Sequence, residues 1–371
     1  MKKKKVMIVF SEGGENGGPF VSHKRIIESV LKEEYNFVKL IIPKGRLKVV
    51  NFKLFFNLIN QIKKEKPDVI HCNGLQLQGF HCMIAAFVCG VPNRVVAIHG
   101  SSMEATSFSK IKLFIMNVLE HFTLLLSTSF FGVSEYTTNW KRLKKFRKKS
   151  FGTVYNLTPD INYKKIKKGK IRKELGIDPD KIIVVSTARI TAEKGFDTFK
   201  DVIKYYNKSS ICYLIVGDGD YKNYLEQELS EEIKERRVFL LGYREDILDI
   251  LSDSDIFMLL THHENLSMSL LEALKLNLPI IATNVGGNPE IVFNNINGVL
   301  VDNYDVDSAV NALKKVIKNR EFYSQNCGNI CKKFDTEKTL KKLKLIYDYD
   351  PKSKMSINEY MSKKGALFYE K

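Results

Sequence analysis

Short runs of Val, Ile and Leu alternate with stretches whose apolar residues recur at helical spacing, and this grammar appears twice in one chain of 371 residues. In the first half the runs are 6–10, 37–42, 69–72 and 94–98, with helical patterns at 20–31 and 52–64. In the second they are 182–187, 212–216, 238–241, 256–260 and 279–282, separated by helical patterns at 196–206, 221–233, 247–252 and 267–276 and followed by another at 288–293. Runs that are apolar throughout suit strands buried on both faces. The pattern therefore predicts an α/β fold with two doubly wound parallel sheets covered by helices. Each half is long enough to bury its own core. Residues 155–178, with Pro159, Gly169 and a lysine cluster, read as the linker. In such sheets ligands bind beyond the carboxyl ends of the strands, so the loops there are where chemistry is expected.

Four of those loops converge on a phosphorylated ligand. In GGENGGP, Gly17 and Gly18 precede a helix, where backbone N–H groups can approach an anion; an ordinary tight turn is the competing reading. In STARITAEKGFD, Arg189 ends a strand and Lys194 precedes a helix. Two cations so placed can clamp a diphosphate, against the alternative of a surface ion pair with Glu193. In HHENLSMSLLEAL, Glu264 sits in a loop and Ser267 is a good N-cap. The amides of Met268, Ser269 and Leu270 are expected to face outward, and Glu272 lies on the helix, seven residues separating it from Glu264. The fourth loop, NVGGNPE, places another glycine pair at a helix start. Asp218 and Asp220 offer a superficial metal pair, but their GDGD setting reads as a turn. His262 and His263 receive no role.

The ordered set of an early Gly-Gly loop, PDVIHCNG, AIHG, VSE, ARITAEKGFD, VGDGDY, LLGYRED, ENLSMSLLEAL, LPIIATNVGGNPEIV and NGVLV closely resembles glycosyltransferase family 4. These are retaining nucleotide-sugar enzymes of the GT-B architecture. The resemblance spans about residues 6–345 and is strongest over 182–301. It implies two Rossmann-like domains facing a cleft: an acceptor-binding domain at 1–160, a donor-binding domain at 175–345, and a C-terminal helix, 348–371, rejoining the first. It also implies that Arg189 and Lys194 hold the donor diphosphate, that Glu264 contacts the donor sugar, and that Glu272 accepts from the ribose hydroxyls. The amides near Ser267, Met268 and Ser269 would support the phosphate or sugar, with Gly17 and Gly18 beside the phosphates. His99 would lie over the donor sugar near the acceptor, and Tyr243 and Arg244 where the nucleobase rests. Preorganised cations at the leaving diphosphate are what this chemistry most needs, so neither a metal nor another cofactor is expected. The family's Glu-Gly-Phe is here Glu264-Asn265-Leu266, and its linker motif becomes NLTPD.

The expected reaction moves a hexose or N-acetylhexosamine from a UDP- or GDP-sugar to a lipid-linked or other membrane-held saccharide, as in surface polysaccharide assembly. A nucleotide-sugar epimerase or phosphorylase of the same architecture is the first alternative, and a basic nucleic-acid-binding protein the second. Residues 1–155 carry 25 Lys and Arg against 10 Asp and Glu, and seven of the nine residues 141–149 are basic. With the apolar stretch 108–131 just before it, that run can dock on anionic lipid, although a solvated helix face is the plainer reading. No interleaved stacking aromatics or binding motif accompany the cations, so nucleic acid is not an expected partner. No run is long enough to span a membrane and the basic start lacks a signal peptide's apolar core. A cytoplasmic protein, peripheral at the inner face of the membrane, is expected. The six cysteines lack paired spacing and read as buried thiols rather than disulfides or a zinc site.

Overall fold

The computed structural model describes residues 3–12, 17–43, 51–100, 109–353 and 355–365, so part of the first glycine loop and the end of the expected helix 348–371 lie outside the described residues. The chain divides into two compact units, Met1–Leu157 with Thr336–Lys371, and Thr158–Asp335. The return to the first unit thus begins about ten residues before the expected limit of 345.

The first unit holds β1 (Lys4–Ser11), β2 (Tyr35–Ile42), β3 (Val69–Asn73), β4 (Asn93–Ile98), β5 (Ser129–Gly132) and β6 (Ser150–Thr153), in the order β2-β1-β3-β4-β5-β6. Every pair is parallel. Val6, Met7, Ile8 and Val9 are inaccessible on both faces of β1, as a sheet sandwiched by helices requires. The helix Thr336–Asp348 is tied to this sheet through its buried end. Tyr347 Oη lies 2.8 Å from His71 Nδ1, and Asn93 Nδ2 donates to Ile346 O at 2.8 Å.

The second unit holds β7 (Ile182–Thr187), β8 (Ile211–Val216), β9 (Val238–Gly242), β10 (Ile256–Leu259), β11 (Ile280–Thr283) and β12 (Gly298–Val301). They run in the order β12-β11-β10-β7-β8-β9, again all parallel. The connections reverse direction across the sheet between β7 and β10. In the first unit the reversal falls between β1 and β3. Such switch points leave a crevice at the carboxyl ends of the two strands.

Two helices of the first unit carried no helical reading from the sequence, Leu77–Val88 and Lys110–Leu126. Both are apolar on faces that turn to water as well as inward. On the second, Met116, Leu119 and Leu124 are buried while Ile111, Phe114, Phe122 and Leu125 stand exposed. The basic run Lys141–Lys149 is a 3₁₀ segment strapped to the end of that helix. Lys149 Nζ donates to the carbonyls of Leu124, Leu125 and Ser127 at 3.0, 2.8 and 2.7 Å, satisfying the last turn. Arg142 pairs with the buried Glu120 at 3.0 Å and lies over Trp140. Lys141, Lys144, Lys145, Arg147 and Lys148 are exposed. All six cysteines are free.

Candidate functional site

In the second unit the candidate residues gather at the carboxyl ends of β7 and β10, the two strands flanking the switch point. Lys194 follows β7 on a single 3₁₀ turn, Ala192–Lys194, and Glu264 follows β10. Their side chains meet, Lys194 Nζ to Glu264 Oε2 at 2.8 Å, both mostly buried at 22% and 14% exposure. The ion pair expected of a plain surface loop, with Glu193, does not form. Arg189 lies two residues beyond the end of the same strand and is exposed; its guanidinium has no polar partner among the described residues. A fixed, partly desolvated Lys–Glu pair, with an uncommitted guanidinium on the same β7 loop, can receive an anionic ligand without first breaking a structural network.

The loops are stacked on one another through glycines. Gly195 has φ +69°, and a Cβ there would sit 1.8 Å from Leu260 O. Gly286 has φ +54°, and its Cβ would sit 1.5 Å from Glu264 O. The diglycine therefore serves packing, letting the β11 loop lie against the backbone of Glu264. The GDGD turn after β8 does the same on the other side. Gly217 and Gly219 press on Ala188 O and Ile190 O, and Ile190 N–H donates to Asp218 O at 2.9 Å. No three His, Cys, Asp or Glu among the described residues are grouped to hold a metal ion.

Ser267 caps the helix Met268–Lys275 as its residue type suggests, accepting from Leu270 N–H at 3.2 Å. Leu270 is buried, so its amide is not one of the outward-facing donors; Met268 and Ser269 head the helix without that commitment. Glu272 sits one turn further along, partly buried. Tyr243 follows β9 and is 55% exposed. Arg244, expected beside a nucleobase, is instead fully engaged: Glu174 accepts from it at 2.6 and 3.0 Å and Asp246 at 2.8 Å twice. Those hydrogen bonds hold Asp246 well below the usual carboxylate range and Arg244 above its own. Arg244 braces the segment 170–174 rather than offering a free charge.

Gly17, Gly18 and His99 belong to the first unit, and a cavity of about 650 Å³ lies at its switch point. Gly17 from the β1 loop, Asn73 and Gln76 from the β3 loop, His99 after β4 and Lys112 line it. Gly18 opens the helix Gly18–Glu28, with Pro19 in its first turn. Behind His99 stand two buried histidines that the sequence left without a site role. His23 packs edge-on against His71 and His99, with ring centroids 4.6 and 5.9 Å apart. His23 Nδ1 lies 3.0 Å from Val9 O and 3.3 Å from Asn73 Nδ2. Burial pushes His23 down to about 4, and burial together with the His23 ring pushes His99 to about 3, so both are neutral at pH 7. The sequence also missed His262, whose partners Asp197 and Asn303 lie 65 and 41 positions away, beyond the reach of any local pattern.

The family model described as Glycosyl transferases group 1 matches residues 167–334, and that described as Glycosyl transferase 4-like matches residues 21–129. The chain is 29% identical over 326 residues to an Escherichia coli UDP-Gal:alpha-D-GlcNAc-diphosphoundecaprenol alpha-1,3-galactosyltransferase, covering 81% of this chain and 80% of that one. It is 25% identical over 295 residues to a Bacillus anthracis N-acetyl-alpha-D-glucosaminyl L-malate synthase, covering 78% and 76%. The fold matches that of Anabaena Alr3699/HepE, solved in complex with UDP-glucose, with a TM-score of 0.74 at 18% identity over 92% of this chain and 98% of that one. With one family model in each unit and the fold shared along nearly the whole length, the chain belongs to the glycosyltransferases, as a GT-B enzyme of the family 4-like type.

Proposed function

We infer that this enzyme transfers a hexose or N-acetylhexosamine, with retention of configuration, from a UDP- or GDP-sugar to a lipid-linked saccharide in surface polysaccharide assembly. The Lys194–Glu264 pair at the switch point is the observation that carries the reading. Lys194 and Arg189 hold the diphosphate, Glu264 the sugar and Glu272 the ribose, with the amides at Ser267, Met268 and Ser269 and the exposed Tyr243 completing the donor side. In the first unit, Gly17 and the neutral His99 line the cavity at that unit's own switch point, and Gly18 opens the helix that follows β1. In the reaction an acceptor hydroxyl oxygen bonds to the anomeric carbon as the bond from that carbon to the diphosphate breaks. The bonding pair leaves on the diphosphate, and the hydroxyl proton passes to a leaving-group oxygen on the same face. Cations already in place stabilise that departing charge without a metal.

The lipid-linked acceptor is supported by the acceptor in the Escherichia coli relative's name, whereas the Bacillus relative's name points to a small acid. The exposed apolar face of Lys110–Leu126 beside five exposed cations favours the former, because such a surface suits an anionic bilayer. The test is a donor screen followed by transfer. A sugar nucleotide at about 100 times its Kd raises stability by about 2.7 kcal/mol, visible as a thermal shift. With the donor so identified, transfer to a GlcNAc-diphosphate lipid is expected, and Lys194→Ala should lower kcat/KM by about 10²–10³-fold while remaining folded. Near-normal turnover by that variant would remove Lys194 from the diphosphate. Donor epimerised in the absence of any acceptor would overturn the transferase assignment.

A further inference from the structure

His262 stands two residues before Glu264 and reaches both neighbouring loops. Its backbone N–H donates to Glu193 O at 2.9 Å, and Thr261 Oγ1 donates to the same carbonyl at 3.1 Å. The imidazole bridges further: Nε2 lies 3.0 Å from Asp197 Oδ1, and Nδ1 lies 2.7 Å from Asn303 Oδ1. Its ring stacks on Tyr304 with centroids 3.9 Å apart and planes 22° from parallel.

The hydrogen-bond chemistry of that bridge fixes a protonation state. The Asn303 amide is oriented by its other end, since Nδ2 donates to His262 O at 3.2 Å. Turning it over would set Oδ1 against that carbonyl, oxygen to oxygen. Both ring nitrogens therefore face oxygens that accept and do not donate. A neutral imidazole has one N–H and would leave a lone pair facing one of them, whereas the imidazolium satisfies both. The stacked Tyr304 ring also favours a cation over its face. Among the titratable groups packed around it, Asp197 is the carboxylate in contact and Tyr304 offers a ring. Glu193 contributes its carbonyl, and Lys194 and Glu264 are engaged with each other.

We propose that His262, as the imidazolium, is a positioning residue that clasps the loops carrying Lys194 and Glu264, so that donor turnover depends on its proton. Asp197 opens the helix that follows Lys194, and Glu193 precedes it, so the clasp grips the β7 loop on both sides of the lysine. Deprotonation releases one of the two side-chain contacts and loosens the Lys194–Glu264 geometry. Chemistry that depends on placing cations at a diphosphate is sensitive to such slack. The proposal rests on the donor roles given above to Lys194 and Glu264.

The test compares wild type with His262→Gln between about pH 5.5 and about pH 8.5, the interval in which imidazoles change charge. Wild-type kcat/KM for the donor should fall on the alkaline side by about tenfold more than that of the variant. The variant should have a lower, flatter profile, with the loss in kcat rather than KM. A long-range nitrogen–proton spectrum should show both His262 ring nitrogens protonated at about pH 6. Parallel profiles for the two proteins, or a single neutral tautomer at that pH, would overturn the proposal. If wild type turns over no sugar nucleotide at all, the functional reading falls, and the ring spectrum alone decides the clasp.

Discussion

Gly286→Ala tests whether the backbone of the Glu264 loop, rather than the carboxylate alone, determines activity. A Cβ at Gly286 would lie 1.5 Å from Glu264 O, half of the 3.0 Å below which real Cβ contacts are essentially never seen, so the loop must retreat by at least about that shortfall. A displacement of about 1 Å in a reacting group can cost about 10²-fold, and a fall in donor kcat/KM of that size or more is expected. Part of any effect would come from the positive φ itself, which costs a non-glycine residue about 1–2 kcal/mol. Gly169→Ala isolates that part, because Gly169 has φ +83° with nothing within 4 Å of the added methyl. In a unit of this size about 1 kcal/mol moves Tm by about 2–4 °C. Thermal melts and donor kinetics on both variants separate the terms: Gly169→Ala should lose only those few degrees and keep its turnover, while Gly286→Ala loses turnover as well. Full activity in Gly286→Ala would mean that the position of Glu264 does not matter to the reaction.

Two further outcomes follow from the first unit. His23 is held neutral with its titration lowered from 6.5 to about 4, so between those values the unfolded chain binds more protons than the folded one, and stability falls as pH drops through that window. The loss approaches about 3 kcal/mol for this residue near pH 4, measurable by urea denaturation; a slope unchanged in His23→Gln would refute it. On the helix Lys110–Leu126, Ile111→Ser with Phe114→Ser should weaken flotation with phosphatidylglycerol vesicles by about tenfold or more, since each exposed side chain can bury apolar surface worth over 1 kcal/mol. Undiminished flotation would remove that face from the membrane argument.

The strands that could be read from the sequence are those built on runs of four to six mostly apolar residues. Residues 182–187 are predicted and observed with the same limits, the apolar run 182–185 continuing into Ser186 and Thr187, which are buried with it. β5, β6 and β12 have four residues each and all three begin at Ser or carry Gly, so no run stands out against their flanks. The helices Leu77–Val88 and Lys110–Leu126 escaped for the opposite reason. Apolar residues on their outer faces erase the helical period. The positions of Lys194 and Glu264 beyond strand ends and of the Ser267 cap were legible, because a strand end or a helix start leaves a local mark. The ion pairing of Arg244 could not be read, because Glu174 lies 70 positions away and no local pattern joins the two.

The glycines show how spacing can be right while its meaning is not. A glycine pair ahead of a helix suggests amides opened to an anion, yet at Gly286 the backbone is opened to another backbone. Gly217 and Gly219 rest on the β7 loop, Gly195 rests on the end of β10, and Gly286 rests on the loop after β10. The carbonyls of Leu260 and Glu264 are therefore each met by a glycine, one from either side, and the nearest contact of each glycine in the series is with main chain. Main-chain contacts of this kind leave no rotamer freedom, so the loop carrying Glu264 is positioned more stringently than side-chain packing would allow. It follows that substitutions at these glycines should damage chemistry more than binding. The groups that hold a nucleotide can follow a small shift of ligand, whereas a reacting centre set between Lys194 and Glu264 cannot.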